Sequence, residues 1–426
     1  MTPLVHLNPA DHFLLTMDRE IRKSGLPGAW CAFALELDGE PDGDALQAGV
    51  ADLSRRFPLL DSRLVTQGRR FAWRPGKETV PLHRHSWDGS VGSALTELLN
   101  GAGDVFSHPP LDFHWLRGAD RNLLVARWCH PLLDAGGVKR LFDCLTADPR
   151  ERDRYHGRQA SLVNQRLAAW SWRRRLSLMW RGKRHNDRID RQVSSQPARP
   201  GKGARRLRHA LLRLSEAETR RILASARRHV GLGGQTLYFL GCLMRALEAM
   251  GPAVRGDAWC IPYAFDLRPG NAPTPVTGNQ VAALFAQADH TVTRDRDALF
   301  RHLRTQHAEA IRRELDQAYL PLMWLGQWLS LDRYARILRR QKSGGERAST
   351  WFSDVGEVRF RRSDCCGAPI VGVHHACQVT APPSLAVLFA RFADRLQASI
   401  SYLHPDLEAA WIDRFQRHLR HELLAD

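Results

Sequence analysis

Three residues in one short segment have the types and spacing that acid–base chemistry needs. His130, Asp134 and Gly136 fall in CHPLLDAGG, directly after the apolar run RNLLVARW (121–128) and before VKRLFDCL. A buried strand that runs into a short helix puts this segment in a loop at a strand end, where catalytic groups concentrate. Histidine, with an ordinary pKa of about 6.5, is mostly neutral at physiological pH and can take a proton from an attacking hydroxyl or amine. The pattern H-x3-D-x-G also admits a structural reading, in which Asp134 caps the helix VKRLF and His130 is a satisfied, partly buried side chain. The pattern alone leaves both open.

Other chemistry-bearing residue types fit less well. Cys365, Cys366, His374, His375 and Cys377 are metal-ligand types. Their spacing, C-C-x7-H-H-x-C, matches no common zinc pattern, and neighbours in an HHAC strand point to opposite faces. No metal ligand set is read from the sequence. The run GLGGQ (231–235) follows a helix rather than a strand, so it is no phosphate or dinucleotide fingerprint; it ends one helix and begins the next.

The elements that must position His130 follow from periodicity and breakers. Pro9 to about Ser24 reads as a helix, WCAFALEL (30–37) as a strand, Asp42 to Arg56 as a helix, and SRLV with RRFAW as a hairpin around Gln67-Gly68. Later, a helix opens at about Ser215, and TLYFLGCLMRALEAM (236–250) is apolar nearly all round, which predicts a buried helix. DAWCIPYAFDLRP, GNQVAALFAQAD, STWFSDVGEVRF and PIVGVHHACQVT read as strands, Asp295–Leu315 as a charged helix, and Asp406 to about Leu424 as the closing one. The fold class is mixed α/β (α+β), with strands too irregular for a clean parallel sheet.

Composition sets the frame. The 426 residues are 43% hydrophobic and 25% charged, which disfavours disorder, collagen-like repeats and a disulfide scaffold. No run approaches the roughly 18 apolar residues that span a bilayer, and MTPLVHLNPADHFLL has no signal-like h-region. A cytoplasmic protein is expected, with its eight scattered cysteines as buried free thiols.

Charge is local. Between Arg166 and Arg208 lie fourteen basic and two acidic residues, so this stretch holds +12 of the net +17. That concentration weakens a nucleic-acid reading of the whole protein. RLAAWSWRRRLSLMWRGKR predicts a helix with Ala169, Trp172, Leu176, Met179 and Trp180 on one face, and SSQPARPGKGARR a linker. Three roles are open for it: a strap whose tryptophans pack on the body, a surface for an anionic membrane, or one for an acidic protein partner. The chain divides accordingly into 1–165, the strap 166–208, and 209–426.

CHPLLDAGG resembles the HHxxxDG motif of the acyltransferase superfamily that holds chloramphenicol acetyltransferase, peptide-synthetase condensation domains and wax ester synthase/diacylglycerol acyltransferases. In the family's order, LNPADHFLL is similar to its opening, LSRRFPLLDSRLV to its R-x-P-x-L-like run, and GGQTLYFLGCLMRAL to its buried helix. IPYAFDLRP with TGNQVAAL resembles its arginine strand, and WFSDVGEV its Ser-Asn-x-Gly-like strand. The likeness covers nearly the whole chain except the strap. It implies two similarly folded halves with an active-site tunnel between them. His130 would be the general base toward a thioester of coenzyme A or carrier phosphopantetheine, which is substrate rather than cofactor. Asp134 would pair with Arg268 and, with Gly136, shape the loop, while Ser353 and Asn279 could contact an oxyanion or substrate. Cys129 replaces the family's first histidine, Ala135 intervenes before the glycine, and Asp354 stands where asparagine is usual.

The leading expectation is an acyltransferase acting on a hydroxyl or amine, with an acidic acyl carrier protein as a candidate donor and the inner membrane face as a candidate location. One alternative is an inactive condensation-like domain that docks a carrier. Another is a basic protein binding membrane or nucleic acid through 166–208, although no nucleic-acid partner is expected.

Overall fold

Runs such as WCAFALELD and RNLLVARWC are apolar at nearly every position, so strands built from them must be covered on both faces. In the computed structural model, which describes residues 3–68, 70–155, 161–268 and 275–425, both are central strands of a covered sheet.

The first lobe runs β1 (Val5–His6), α1 (Pro9–Lys23), β2 (Trp30–Asp38), α2 (Gly43–Arg56), β3 (Ser62–Gln67), β4 (Arg70–Pro75), β5 (Leu82–Ser86), α3 (Val91–Asn100), β6 (Leu111–Arg117), β7 (Arg121–Cys129) and α4 (Ala135–Thr146). Next come α5 (Leu162–Ala169) and α6 (Trp172–Ile189). The second lobe begins with β8 (Arg206–Arg213), α7 (Glu216–Val230), α8 (Gln235–Met250), β9 (Ala258–Asp266), β10 (Val281–Asp289), α9 (His290–Arg294), α10 (Arg296–Arg312), α11 (Leu315–Gly326) and α12 (Leu331–Arg339). The chain closes with β11 (Trp351–Glu357), β12 (Asp364–Cys365), β13 (Ala368–Cys377), β14 (Leu385–Phe392), β15 (Arg395–His404) and α13 (Ala409–Leu424).

Helix starts follow local chemistry. Asn8 caps α1 by accepting from the N–H groups of Ala10 and Asp11, and Asp11 returns the bond to the Asn8 N–H. Ser215 and Glu218 form the same box on α7. The nearly all-apolar α8 is buried over most of its length, as its sequence requires.

Each lobe has its own core. The first is built on a six-stranded sheet, β12-β13-β2-β7-β6-β5, and the second on β11-β14-β15-β8 with the β9-β10 hairpin. The division at residue 209 is one of sequence; in space β12 and β13 cross back and extend the first lobe's sheet through β2. No described helix is long and apolar enough to cross a membrane. All eight cysteines are free thiols, six of them buried.

The basic segment departs from its expected form. The helix breaks at Trp170–Ser171, and α6 buries Leu178, Gly182, His185 and Ile189 instead of the tryptophan face. Trp172 and Trp180 are 66% and 61% exposed. Gly182 decides this: a Cβ there would lie 2.7 Å from Leu322 Cδ1 and 3.1 Å from the Ala318 carbonyl, so only this face lets α11 come close. SSQPARPGKGARR is no free linker either. Ser194 and Gln196 are buried and bridged to Ala258 and Val254.

Candidate active site

β7 ends at Cys129, and the turn that follows carries His130 to the seam between the lobes. The turn is held from the first lobe by the His130 N–H donating to the Ala29 carbonyl (2.7 Å) and by Trp128 Nε1 donating to the Leu133 carbonyl (2.9 Å). From the second lobe, Gly278 donates to the Leu132 carbonyl (2.7 Å), and Leu133 bridges Gly278. The loop between β7 and α4, residues 130–134, has no regular structure of its own, so these bonds hold it in place.

Asp134 caps α4 by accepting from the Gly137 N–H (2.8 Å). The same carboxylate reaches across the seam to Arg268 Nη2 (2.7 Å) and to the Gln280 N–H (2.8 Å). Its pairing with Arg268 is almost dry, the side chains being 5% and 4% exposed. Burial works against the Arg268 guanidinium, but Asp134, joined by Asp266, more than offsets it and holds the pKa above the ordinary value. Gly136 and Gly137 make room for this contact. A Cβ on Gly136 would stand 2.7 Å from Arg268 Nη1, and one on Gly137 would stand 2.3 Å from the Val276 carbonyl. Ala135 is only partly buried, so its methyl group leaves the cap intact.

Asn279 is fully buried. Its Nδ2 donates to the His130 carbonyl (2.9 Å) and to Asp11 Oδ1 (2.9 Å), and its backbone N–H also donates to Asp11 (2.7 Å). Both amide hydrogens of Asn279 are thus engaged within the protein, while its Oδ1 is buried without a hydrogen-bond partner. Burial pushes the Asp11 carboxyl up to about 7, although hydrogen bonds from Asn279 and Asn8 pull the other way. Asn8 Nδ2 completes the set by donating to the Asn279 carbonyl (3.2 Å).

His130 itself is partly accessible, while its Nδ1 is buried without a hydrogen-bond partner. Burial lowers the imidazole pKa below its ordinary value, which its own carbonyl, Asp134 and Asn279 only partly offset. His375 packs behind it, stacked on Trp128 at 5.9 Å, with its pKa lowered to about 3 by burial and by His130. Cys129 is fully buried, and burial raises its thiol well above the ordinary value, which removes a thiolate from the chemistry.

The second-lobe strand β11 meets α4 through Lys139 Nζ, which donates to the Val355 carbonyl (2.7 Å). Asp354 accepts from Thr236 Oγ1 (2.6 Å) and the Gly356 N–H (2.9 Å). Ser353 is partly buried on β11, and among the described residues no hydrogen bond joins it to His130. The structure brings His130, Asp134, Gly136, Arg268 and Asn279 together, and among the described residues no hydrogen bond ties Ser353 to them. Cys365, Cys366, His374, His375 and Cys377 do not converge, since His374 pairs with Glu36 (3.0 Å) while His375 faces the other way. Asn8, Asp11 and Gln280 were not read as site residues. Asn8 and Asp11 form the capping box of α1, a local arrangement, and only the fold carries it to residue 279.

Two cavities stand out, and neither borders His130. One of about 440 Å3 lies by Glu40, Arg117 and Asn122 at the far end of the first sheet, and one of about 170 Å3 lies by Leu232, Gln235 and Arg391.

No protein-family model matches the chain, and no curated protein matches it either. Solved structures do. A trichothecene 15-O-acetyltransferase from Fusarium sporotrichioides superposes with a TM-score of 0.72 at 11% identity, covering 99% of this chain and 95% of its own. The first condensation domain of the CDA synthetase gives 0.70 at 13% identity over 100% and 97% of the two chains. The X-domain from teicoplanin biosynthesis, also solved in complex with OxyB, gives 0.65 at 15% over 100% and 95%. The protein has the condensation-domain-like, chloramphenicol-acetyltransferase fold, as its motifs implied.

Proposed function

We propose that the protein is an acyltransferase that moves an acyl group from a coenzyme A or carrier-protein thioester to a hydroxyl or amine. The observation that carries this reading is an imidazole kept partly accessible at the lobe seam, its backbone gripped by Asn279 and its loop by the Asp134–Arg268 pair, with burial lowering its pKa. The acceptor gives its proton to His130 Nε2 as it attacks the thioester carbonyl. The C–S bond then breaks, and the departing thiolate recovers the proton as free thiol. General-base help of this kind contributes roughly 10²–10⁴-fold. Donor and acceptor would reach His130 from opposite sides of the seam.

A second reading, a docking module without catalysis, is favoured by Cys129 and Ala135 in the motif and by the X-domain found in complex with OxyB. In either case the docking face we infer is α6. Trp172, Leu176 and Trp180 are exposed there beside the exposed Arg173 and Arg184, a combination suited to an acidic carrier protein or an anionic membrane.

Free-thiol release from a panel of acyl-CoAs with alcohol and amine acceptors separates these readings. Release by the wild type and a loss of at least about a hundredfold in His130→Ala support catalysis. Equal rates in both proteins exclude the base role, and no release with any pair favours the docking module.

A further inference from the structure

Away from the His130 turn, the edge of the first sheet gathers three imidazoles that the proposed reaction does not use. β5 pairs in parallel with β6, setting His83 opposite His114. Residues two apart on a strand share a face, so His83 and His85 flank His114 while Arg84 turns to the other side against Trp115. The rings converge: the centroids of His83 and His114 are 4.9 Å apart, those of His85 and His114 5.3 Å, and those of His83 and His85 6.2 Å. His85 Nε2 lies 3.1 Å from His114 Nδ1.

We propose that His83, His85 and His114 bind a divalent transition-metal ion of the zinc class. Imidazole nitrogens bound tetrahedrally at about 2.0–2.1 Å sit roughly 3.3 Å apart, with ring centres about 5 Å apart, close to the spacing already present. The metal takes the place of the His85–His114 contact, and only small side-chain adjustments bring in the exposed His83. Asp112 supplies the orienting carboxylate. It lies opposite the other ring nitrogen of His114 (Nε2 to Oδ1, 3.1 Å) and is itself held by Arg127 (Nε to Oδ1, 3.0 Å). A carboxylate on the far nitrogen fixes a histidine's tautomer and ring plane for metal binding. One ligand atom each from His83, Asp112 and His114 already falls within 4.8 Å of the others. His83 and His85 are exposed, so the fourth coordination position opens to solvent, and imidazole-rich sites of this form suit zinc, cobalt, nickel or copper. The ion would tie the edge strand β5 to β6.

The test uses the full-length protein, stripped with a chelator and titrated with Zn2+ by calorimetry and with Co2+ by visible absorption. Wild type is expected to bind one equivalent that is lost in His83→Ala/His85→Ala, with cobalt giving intense tetrahedral bands only in the wild type. Both residues are exposed, so the variant should melt like metal-free wild type. A His404→Ala control should keep the site. Undiminished binding by the double variant, or no binding by wild type at millimolar zinc, overturns the proposal.

Discussion

Replacing Arg268 with methionine tests whether one buried ion pair holds the His130 loop. Among the described residues, Arg268 is the sole cation within ion-pair distance of Asp134, and neither side chain is more than 5% exposed. Removing one partner of such a pair costs about 3–5 kcal/mol, because a buried charge is left uncompensated. Two N–H donors, from Gly137 and Gln280, still solvate the carboxylate, which puts the loss at the lower end, about 3 kcal/mol. Urea unfolding should show the midpoint falling with the slope unchanged. Thiol release should fall by about tenfold or more, since Asp134 anchors the turn that aims His130. The double variant Arg268→Met/Asp134→Asn removes the stranded charge and should recover a large part of the stability. A single-variant loss below about 1 kcal/mol, the value of an exposed pair, would refute the reasoning, as would strictly additive effects in the double.

Three further outcomes follow from the same geometry. Gly137→Ala, whose Cβ would stand 2.3 Å from the Val276 carbonyl, must displace backbone and should destabilise by about 1–3 kcal/mol in a thermal or urea melt. The acid limb of kcat/KM should lie below the ordinary histidine value, because a lowered pKa keeps His130 neutral until more acidic pH; a midpoint at or above about 6.5 contradicts the buried-base assignment. Trp172→Ala/Trp180→Ala should change stability by no more than about 0.5 kcal/mol, both residues being exposed, yet weaken flotation with anionic vesicles or capture by an acidic carrier protein.

Local rules carried much of this protein. Alternation and apolar runs located β2, β7, α1 and α8 to within a residue and β9 and β10 to within three, because side-chain period acts over a few positions. The strand–turn–helix around CHPLLDAGG was legible for the same reason. The family motifs also pointed to Arg268 as the partner of Asp134, and the structure brings the two together.

What the sequence could not hold is which distant groups meet. Asp11 and Asn279 are 268 positions apart, yet their bonds fix the His130 carbonyl; no periodicity encodes that contact, which exists only once both lobes have folded. The return of β13 to pair with β2 is likewise a matter of sheet completion, invisible to local pattern. On α6 the pattern misled, because it favoured the bulky tryptophans while packing selected the face where Gly182 lets α11 approach. Composition and spacing therefore determined most of the elements and the strand-end turn that carries His130. The tertiary structure decided which faces are dry and which charges are paired, because burial and close approach depend on surfaces brought together from remote parts of the chain.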